Sequence, residues 1–214
     1  MEERAIGIIL RTRLLTETSL IANWLTAEHG RVATVAKGAR RPKSPFRGKL
    51  DLFYTAEISY IRSRRSELHT LKEVSVVDTH PALREQLGYV QQASYAAALL
   101  EQTTETDTPI PALYQLFSRF IAFLPAQAPQ PRNIFALELK LLEELGLKPD
   151  SEDAALSPGS RQMMDRLAHD DWNAIANLKL SAVQEIELRQ FLHGFLIYHL
   201  GKFPHSRTAA LHPA

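Results

Sequence analysis

The spacing of apolar residues changes near residue 80, and no other feature of the chain constrains its fold as much. Before this point apolar and polar residues alternate over short runs, which is typical of half-buried β-strands. After it, apolar residues recur every three or four positions, which is typical of amphipathic α-helices. The sequence therefore predicts an α+β protein with a β domain over residues 1–80 and an all-helical domain over residues 81–214.

Five strands are predicted in the first domain, joined by links too short for βαβ crossovers. They cover Ile6–Leu14, Ser19–Thr26, Arg31–Lys37, Leu50–Arg62 and Leu68–Val77. On the first strand, we expect one face to carry Ile6, Ile8, Leu10 and Leu14, and the other to carry Ile9 with Arg11 and Arg13. Five short strands in this length fit a small barrel, for which we predict an OB-fold. An SH3-like barrel is the structural alternative.

The second domain is predicted to contain five helices. They cover residues 82–104, about 111–124, 132–145, 161–168 and 182–200. Ser181 and Gln184 form the sequence pattern of a capping box at the start of the last helix. We expect residues 148–160 to form a loop and the tail from Lys202 to be frayed.

The absence of cysteine excludes whole classes of function. Without thiols the chain has no disulfides, no thiolate metal site, no cysteine nucleophile and no iron–sulfur cluster. No apolar run approaches the roughly 18–20 residues that span a bilayer, and the acidic start Met-Glu-Glu-Arg is unlike a secretory signal. We therefore expect a cytoplasmic protein.

Positive charge is concentrated between Lys37 and Lys49. Six of these thirteen residues are basic and none is acidic, although the whole chain has a net charge of only +1. Residues 1–80 carry 14 Lys and Arg against 9 Asp and Glu, whereas residues 81–214 carry 11 against 15. A basic segment between two strands of a barrel predicts contact with a polyanion, of which nucleic acid is the most common in cells. The alternative is a solvated loop whose charges serve only solubility.

The predicted nucleic-acid contacts extend beyond this segment. The cations assigned to them are Lys37, Arg40, Arg41, Lys43, Arg47, Lys49, Arg11, Arg13, Arg31, Arg62, Arg64 and Arg65. In an OB-fold the ligand crosses strands 2 and 3 and the loops that join strands 1–2 and 4–5. The predicted 4–5 loop is basic, but the 1–2 loop, Leu15–Thr18, is not, which argues against a simple OB interface.

One aromatic residue lies inside the basic segment. Bases of single strands stack on aromatic side chains, so Phe46 is a candidate stacking residue. Trp24, Phe53, Tyr54 and Tyr60 lie on predicted strands, where a place in the barrel core is the stronger expectation.

Catalytic signatures are absent from the sequence. The segment from Gly38 to Lys49 lacks the spacing of a phosphate-binding loop, and no zinc-protease, dinucleotide-binding or nucleophile-elbow motif occurs. We predict no catalytic residues and no metal site. The gaps between the predicted helices leave open a groove for a partner peptide.

Several sequence blocks form a recognisable set. They are Gly7–Arg13, Glu17–Leu20, Leu25–Gly30, Val35–Ser44 and Leu68–Leu71, with looser ones at Ser94-Tyr95, Leu99–Glu101 and Phe135–Leu142. In this order they resemble the RecO family of bacterial recombination mediators. The block Ala36-Lys-Gly-Ala-Arg40 is the most specific of them. The similarity covers most of residues 4–147 and fades beyond.

The resemblance implies an N-terminal OB domain, a helical C-terminal domain and no enzymatic turnover. It implies a recombination mediator in DNA repair of the RecF type, which binds single- and double-stranded DNA, anneals complementary strands and loads recombinase onto coated single strands. The implied partners are RecR and the acidic C-terminal tail of single-strand-binding protein (SSB), and the implied location is the cytoplasm, associated with the nucleoid. It assigns DNA contact to the basic residues of the block Lys37–Ser44.

The chain departs from the family pattern after Gly146. Many members carry four zinc-binding cysteines there, whereas this chain has Lys148–Arg161 and no cysteine. We therefore predict a degenerate zinc module without metal and no cofactor. Two other functions remain open on the residues alone, namely an RNA-binding OB module in translation or RNA processing and an enzyme whose site has no recognisable motif.

Overall fold

The computed structural model describes residues 1–149 and 156–212. The chain forms two compact units, of which the first comprises Met1–Pro81 and Thr103–Ser118 and the second Ala82–Gln102 and Arg119–Ala214. The segment Thr103–Ser118 thus lies with the strands. The predicted domains, residues 1–80 and 81–214, differ from these units in the placement of this segment. Whether each predicted domain folds independently stays a prediction.

The first unit contains a closed five-stranded barrel with the strand order β1-β2-β3-β5-β4. The strands are β1 (Glu2–Leu14), β2 (Leu20–Thr26), β3 (Gly30–Ala36), β4 (Thr55–Ile61) and β5 (Leu68–Asp78). Neighbouring strands are antiparallel, except that β3 and β5 are parallel. The predicted α+β class with an N-terminal OB-fold barrel is confirmed.

A bulge in β1 corrects the predicted faces of this strand. Ile9 pairs with Trp24 of β2, but the next paired residue is Arg11, opposite Asn23. Ile9 and Trp24 both belong to the barrel core, so strict alternation would also turn Arg11 inward. The extra residue at the bulge reverses the alternation, and Arg11 and Arg13 are exposed.

The four residues predicted to share the other face differ in their exposure. Ile8 and Leu10 are buried, but Ile6 and Leu14 are exposed. A shared face predicted from alternation therefore did not mean a shared environment for these four residues.

The barrel interior is filled by side chains from all five strands. The large members of this core include Ile9, Trp24, Ile58, Tyr60 and Leu71. The indole Nε1 of Trp24 donates a 2.9 Å hydrogen bond to Oγ1 of Thr34, so the one polar atom of this buried ring is satisfied. The expected core positions of Trp24 and Tyr60 are confirmed, with Tyr54 partly buried at the edge of the core. Phe53 is buried too, but it lies before β4 and outside this cluster.

Seven α-helices and two 3₁₀ turns follow among the described residues. The helices are α1 (Leu87–Thr103), α2 (Pro111–Phe123), α3 (Pro131–Glu144), α4 (Pro158–His169), α5 (Trp172–Ala176), α6 (Ala182–Leu200) and α7 (Arg207–Leu211), and the 3₁₀ turns are Pro81–Arg84 and Leu124–Ala126. The predicted capping box is present, since the Ser181 side chain accepts from the Gln184 N–H and the Gln184 side chain accepts from the Ser181 N–H. Among residues 1–149 and 156–212, no helix combines the length and apolarity that crossing a bilayer would need.

Helix α3 lies at the centre of the second unit and packs against α4, α5, α6 and α7. Its carboxylate Glu138 is fully buried and accepts hydrogen bonds of 2.7 and 2.8 Å from the guanidinium of Arg207 in α7, and one of 2.6 Å from Tyr95. This paired, fully hydrogen-bonded charge holds α7 in place. The prediction of a frayed tail was therefore wrong.

Candidate nucleic-acid interface

The segment Lys37–Lys49, which we call the basic loop, follows β3 as a chain of tight turns. Backbone N–H groups of Ala39, Arg41, Ser44, Arg47 and Lys49 each donate to the carbonyl three residues earlier. Gly38 adopts a φ of 68°, a conformation that favours glycine, at the first of these turns. The loop is therefore locally ordered by its own hydrogen bonds.

The loop between β1 and β2 supports the first half of the basic loop. The N–H of Arg40 donates to the Thr18 carbonyl at 3.0 Å, and its guanidinium Nη1 donates to the Glu17 carbonyl at 3.0 Å. The N–H of Gly38 donates to Oγ of Ser19 at 3.3 Å. The non-basic 1–2 loop, which argued against an OB interface in the sequence, thus acts as a backbone support for the cations of its neighbour.

Phe46 anchors the second half of the basic loop in the barrel core. Its side chain is only 7% exposed and belongs to the same core cluster as Trp24 and Tyr60. A ring with so little exposed surface offers no face on which a base can stack. We therefore correct the assignment of Phe46 from a stacking residue to a core anchor.

Five cations of the basic loop are exposed to solvent. They are Lys37, Arg40, Arg41, Lys43 and Arg47. Within the described part of the chain, none of the five forms an ion pair with a carboxylate, and the side-chain hydrogen bonds of Arg40 and Arg47 go to backbone carbonyls. Their charges are therefore not neutralised by the protein. The sixth, Lys49, is half-buried and its Nζ donates to the Val74 carbonyl at 3.1 Å.

Two arginines of the predicted set have structural partners instead. Arg62 lies 2.8 Å from Asp107 and 3.4 Å from Glu3. Arg31 donates to the Thr104 carbonyl, and its own carbonyl accepts from the Asp107 N–H at 2.9 Å. Both arginines hold the segment Thr103–Ser118 on the barrel, so we leave them out of the proposed DNA contacts.

Arg62, Glu3 and Asp107 form a cluster of ion pairs whose members shift one another's pKa values. Burial alone would lower the pKa of Arg62, but the carboxylates of Asp107 and Glu3 outweigh it and raise that pKa. Burial likewise opposes ionisation of Glu3, yet the hydrogen bond from Tyr60 and the charge of Arg62 bring its pKa below the ordinary value. Burial and the Glu3 carboxylate raise the pKa of Tyr60, so its hydroxyl stays a donor.

The other predicted cations lie at exposed positions of the same unit. Arg64 and Arg65 occupy the tip between β4 and β5, where the Arg65 N–H donates to Oγ of Ser63 at 3.2 Å. Arg11 and Arg13 lie on β1 beyond the bulge. These four stay predictions, as do the contacts assigned to the basic loop.

Sequence reasoning missed two leucines beside the basic loop. Leu14 ends β1 and Leu15 begins the supporting 1–2 loop, and both are exposed, by 63% and 46%. The alternation of β1 placed Leu14 on the same face as Ile8 and Leu10, which are buried. The polar run Thr16-Glu-Thr-Ser19, which directly follows the two leucines, was the available signal that the strand ends in solvent.

Metal ligands do not cluster in the described residues, among which no group of three or more His, Asp or Glu is arranged to hold a metal ion. The predicted degenerate zinc module spans Lys148–Arg161, and residues 150–155 of this range lie outside the described residues. From Leu156 onward the chain leads into α4, whose Ser160 is buried.

Comparison with known proteins places this barrel and helical unit in one family. The sequence profile described as "Recombination protein O N terminal" matches residues 1–80, and that described as "Recombination protein O C terminal" matches residues 84–155. The chain belongs to the RecO family.

Proteins named DNA repair protein RecO resemble this chain over 70% to 93% of its length. A protein named DNA repair protein RecO from Anaeromyxobacter dehalogenans is 29% identical, with 92% of this chain and 91% of the relative covered. A protein of the same name from Xanthomonas euvesicatoria pv. vesicatoria is 28% identical over 93% of this chain and 92% of its own. The RecO protein of Myxococcus xanthus is 31% identical over 70% of this chain and 62% of its own.

Proposed function

We propose that this chain is a DNA-binding recombination mediator that acts in DNA repair without catalytic turnover. The observation that carries the proposal is the basic loop, whose five exposed cations have no carboxylate partners within the described residues and stand on a backbone fixed by the 1–2 loop and by Phe46. Membership of the RecO family supports the same role.

The proposed contacts are ionic and directed at phosphates. Lys37, Arg40, Arg41, Lys43 and Arg47 bind successive phosphates of a strand, while Arg11, Arg13, Arg64 and Arg65 extend the positive surface. Each contact releases a condensed counterion, which is the main source of binding free energy for such surfaces. Because phosphate contacts read no sequence, the binding is expected to be largely independent of base sequence.

Strand annealing follows from the same charges. Two complementary strands repel each other through their phosphates, and a surface that neutralises part of this charge lets them approach and pair. Annealing in this form needs no bond to be made or broken by the protein. RecR and the acidic tail of single-strand-binding protein are the proposed partners in loading recombinase, and a role on DNA places the protein with the nucleoid in the cytoplasm.

A charge-reversal experiment with a matched control tests the proposal. The variant K37E/R41E/K43E reverses three loop cations that make no described side-chain hydrogen bond, and R119E/K179E/K202E reverses three exposed cations outside the barrel unit. Both variants change the net charge by the same amount. We expect the loop variant to bind single-stranded DNA about 100-fold more weakly at low salt and to lose annealing, since three phosphate contacts are removed.

The control should retain affinity and annealing to within a few-fold, and both variants should melt near the temperature of the native protein. Equal losses in the two variants would mean that net charge, not the basic loop, governs binding. Tighter binding to single-stranded RNA than to DNA of the same length would instead favour an RNA-binding module.

A further inference from the structure

We infer that the exposed leucines beside the basic loop, together with a hollow at the end of the barrel, form a contact site for an unstacked nucleobase. The inference rests on the proposed function, because it concerns the bases of the strand whose phosphates the basic loop binds. It adds apolar contact with a base to the ionic contacts with phosphates.

Leu14 and Leu15 are exposed on a rigid support. The Leu15 N–H donates to the Ser19 carbonyl at 3.0 Å, and Oγ1 of Thr16 accepts from the Ser19 N–H at 3.1 Å. These bonds close the 1–2 loop into a tight turn. The two leucines are therefore held in solvent by a preorganised backbone, where their apolar surface stays uncovered at a cost in hydration free energy.

A hollow of about 290 Å³ lies between the start of β2 and the basic loop. Leu14 is the cross-strand partner of Leu20, and directly opposed side chains of antiparallel strands lie in contact range. Leu20 in turn lines the hollow, together with Ala39, Arg40, Phe46, Arg47 and Leu50. The lining thus combines apolar residues with two arginines.

This combination matches the chemistry of a nucleotide in a single strand. A base has apolar faces and is attached to an anionic phosphate, so its ring can cover apolar surface while Arg40 or Arg47 binds the phosphate beside it. Aliphatic side chains are known to insert between bases in this way. Separating two stacked bases costs less in a single strand than in a duplex, so the site should favour single strands and strand ends.

The charge around the hollow favours a nucleic acid over a peptide. Lys37, Arg41 and Lys43 add three more exposed cations to the same loop. A strand of regularly spaced phosphates can use all of them, whereas a peptide would need a matching run of carboxylates.

A double comparison of protein and DNA tests the base contact. Binding is measured for the full chain and for L14S/L15S, each with an ordinary single strand and with a strand of equal length that carries abasic sites and hence the same phosphates. We expect the native protein to bind the ordinary strand at least several-fold more tightly, because only that strand offers a base to cover the leucines. In L14S/L15S this ratio should fall at least several-fold, with an unchanged dependence on salt.

The control variant I197S/Y198S removes an exposed apolar pair from α6 and should leave the ratio intact. Because Leu14 and Leu15 are exposed, L14S/L15S should fold normally, as a thermal melt will show. A ratio that is unaffected by L14S/L15S, or equal affinity of the native protein for both strands, would overturn the base contact. If K37E/R41E/K43E also bound both strands normally, the proposed function itself would fail.

Discussion

Gly30 allows the backbone of the segment Thr103–Ser118 to approach the barrel closely at Thr108. It has a φ of 66°, and a Cβ placed on it would lie 2.0 Å from the Thr108 carbonyl oxygen. Gly48 has a similar φ of 70° but no atom within 4 Å of its virtual Cβ. The two glycines therefore separate the cost of the backbone conformation from the cost of the close approach.

We predict that G48A lowers the free energy of unfolding by about 1–2 kcal/mol, the usual cost of a left-handed residue. G30A should lower it by a further ~1–3 kcal/mol, because the new methyl group displaces the Thr108 backbone. Urea unfolding of both variants measures the difference. Equal losses would show that the contact between Gly30 and Thr108 has no energetic weight.

Glu3 links stability to pH. Despite partial burial, the hydrogen bond from Tyr60 and the charge of Arg62 hold its pKa below about 4.5. A carboxylate with a lowered pKa stabilises the folded state above its ordinary pKa, and this contribution is lost as the pH falls through the lowered value.

E3Q should therefore be less stable than the native protein near neutral pH, and the difference should shrink as the pH falls below about 4.5. Urea unfolding of both proteins across this range is the measurement. A difference that grew on acidification would have the wrong sign for an ionised Glu3.

The contacts of individual residues were harder to predict from the sequence than the strands and helices. Charge alone placed Arg31 and Arg62 among the DNA contacts, but their partners Thr104 and Asp107 lie some 45 to 73 positions further along the chain. A sequence pattern gives no information about such distant pairs. The same holds for Phe46, which is buried by strands on both sides of it in the sequence.

At the scale of elements, the basic loop is a fixed structure between β3 and β4. It is attached at one end to the 1–2 loop through Arg40 and Gly38, and near the other end to the barrel core through Phe46. Because Phe46 is an anchor, replacing it should affect the stability of the loop but not its affinity for DNA.

We predict that F46L lowers the free energy of unfolding by about 1–3 kcal/mol, because the smaller side chain leaves part of the buried site unfilled. Its affinity for single-stranded DNA should stay within about twofold of native, as measured by fluorescence anisotropy. A loss of about 5- to 100-fold, the range for one stacked base, would restore Phe46 as a stacking residue.

The type and order of the strands and of the main helices were predictable because their apolar periods are strong. The β1 bulge was not, because an inserted residue leaves the composition of the strand unchanged. Helices α5 and α7 were missed because five-residue helices have little stability of their own. They are held by tertiary contacts, such as the packing of Trp172 on Phe120 and Phe123 and the pairing of Arg207 with Glu138.

At the scale of the molecule, positive and negative charges are concentrated in different parts of the chain, although the net charge is close to zero. Residues 1–80 have an excess of five positive charges, and residues 81–214 an excess of four negative charges, for a total of +1. A uniformly weak positive field would not concentrate DNA at any site. The proposed function therefore depends on the local field of the basic loop, which screening by salt should weaken strongly.

The dependence of single-strand affinity on salt is the most direct test of this account. If four or five phosphates are engaged, a plot of log K against log salt should have a slope of about −3, and K37E/R41E/K43E should reduce its magnitude by about 2. R119E/K179E/K202E should leave the slope unchanged. The same slope in the native protein and the loop variant would contradict phosphate binding by the basic loop.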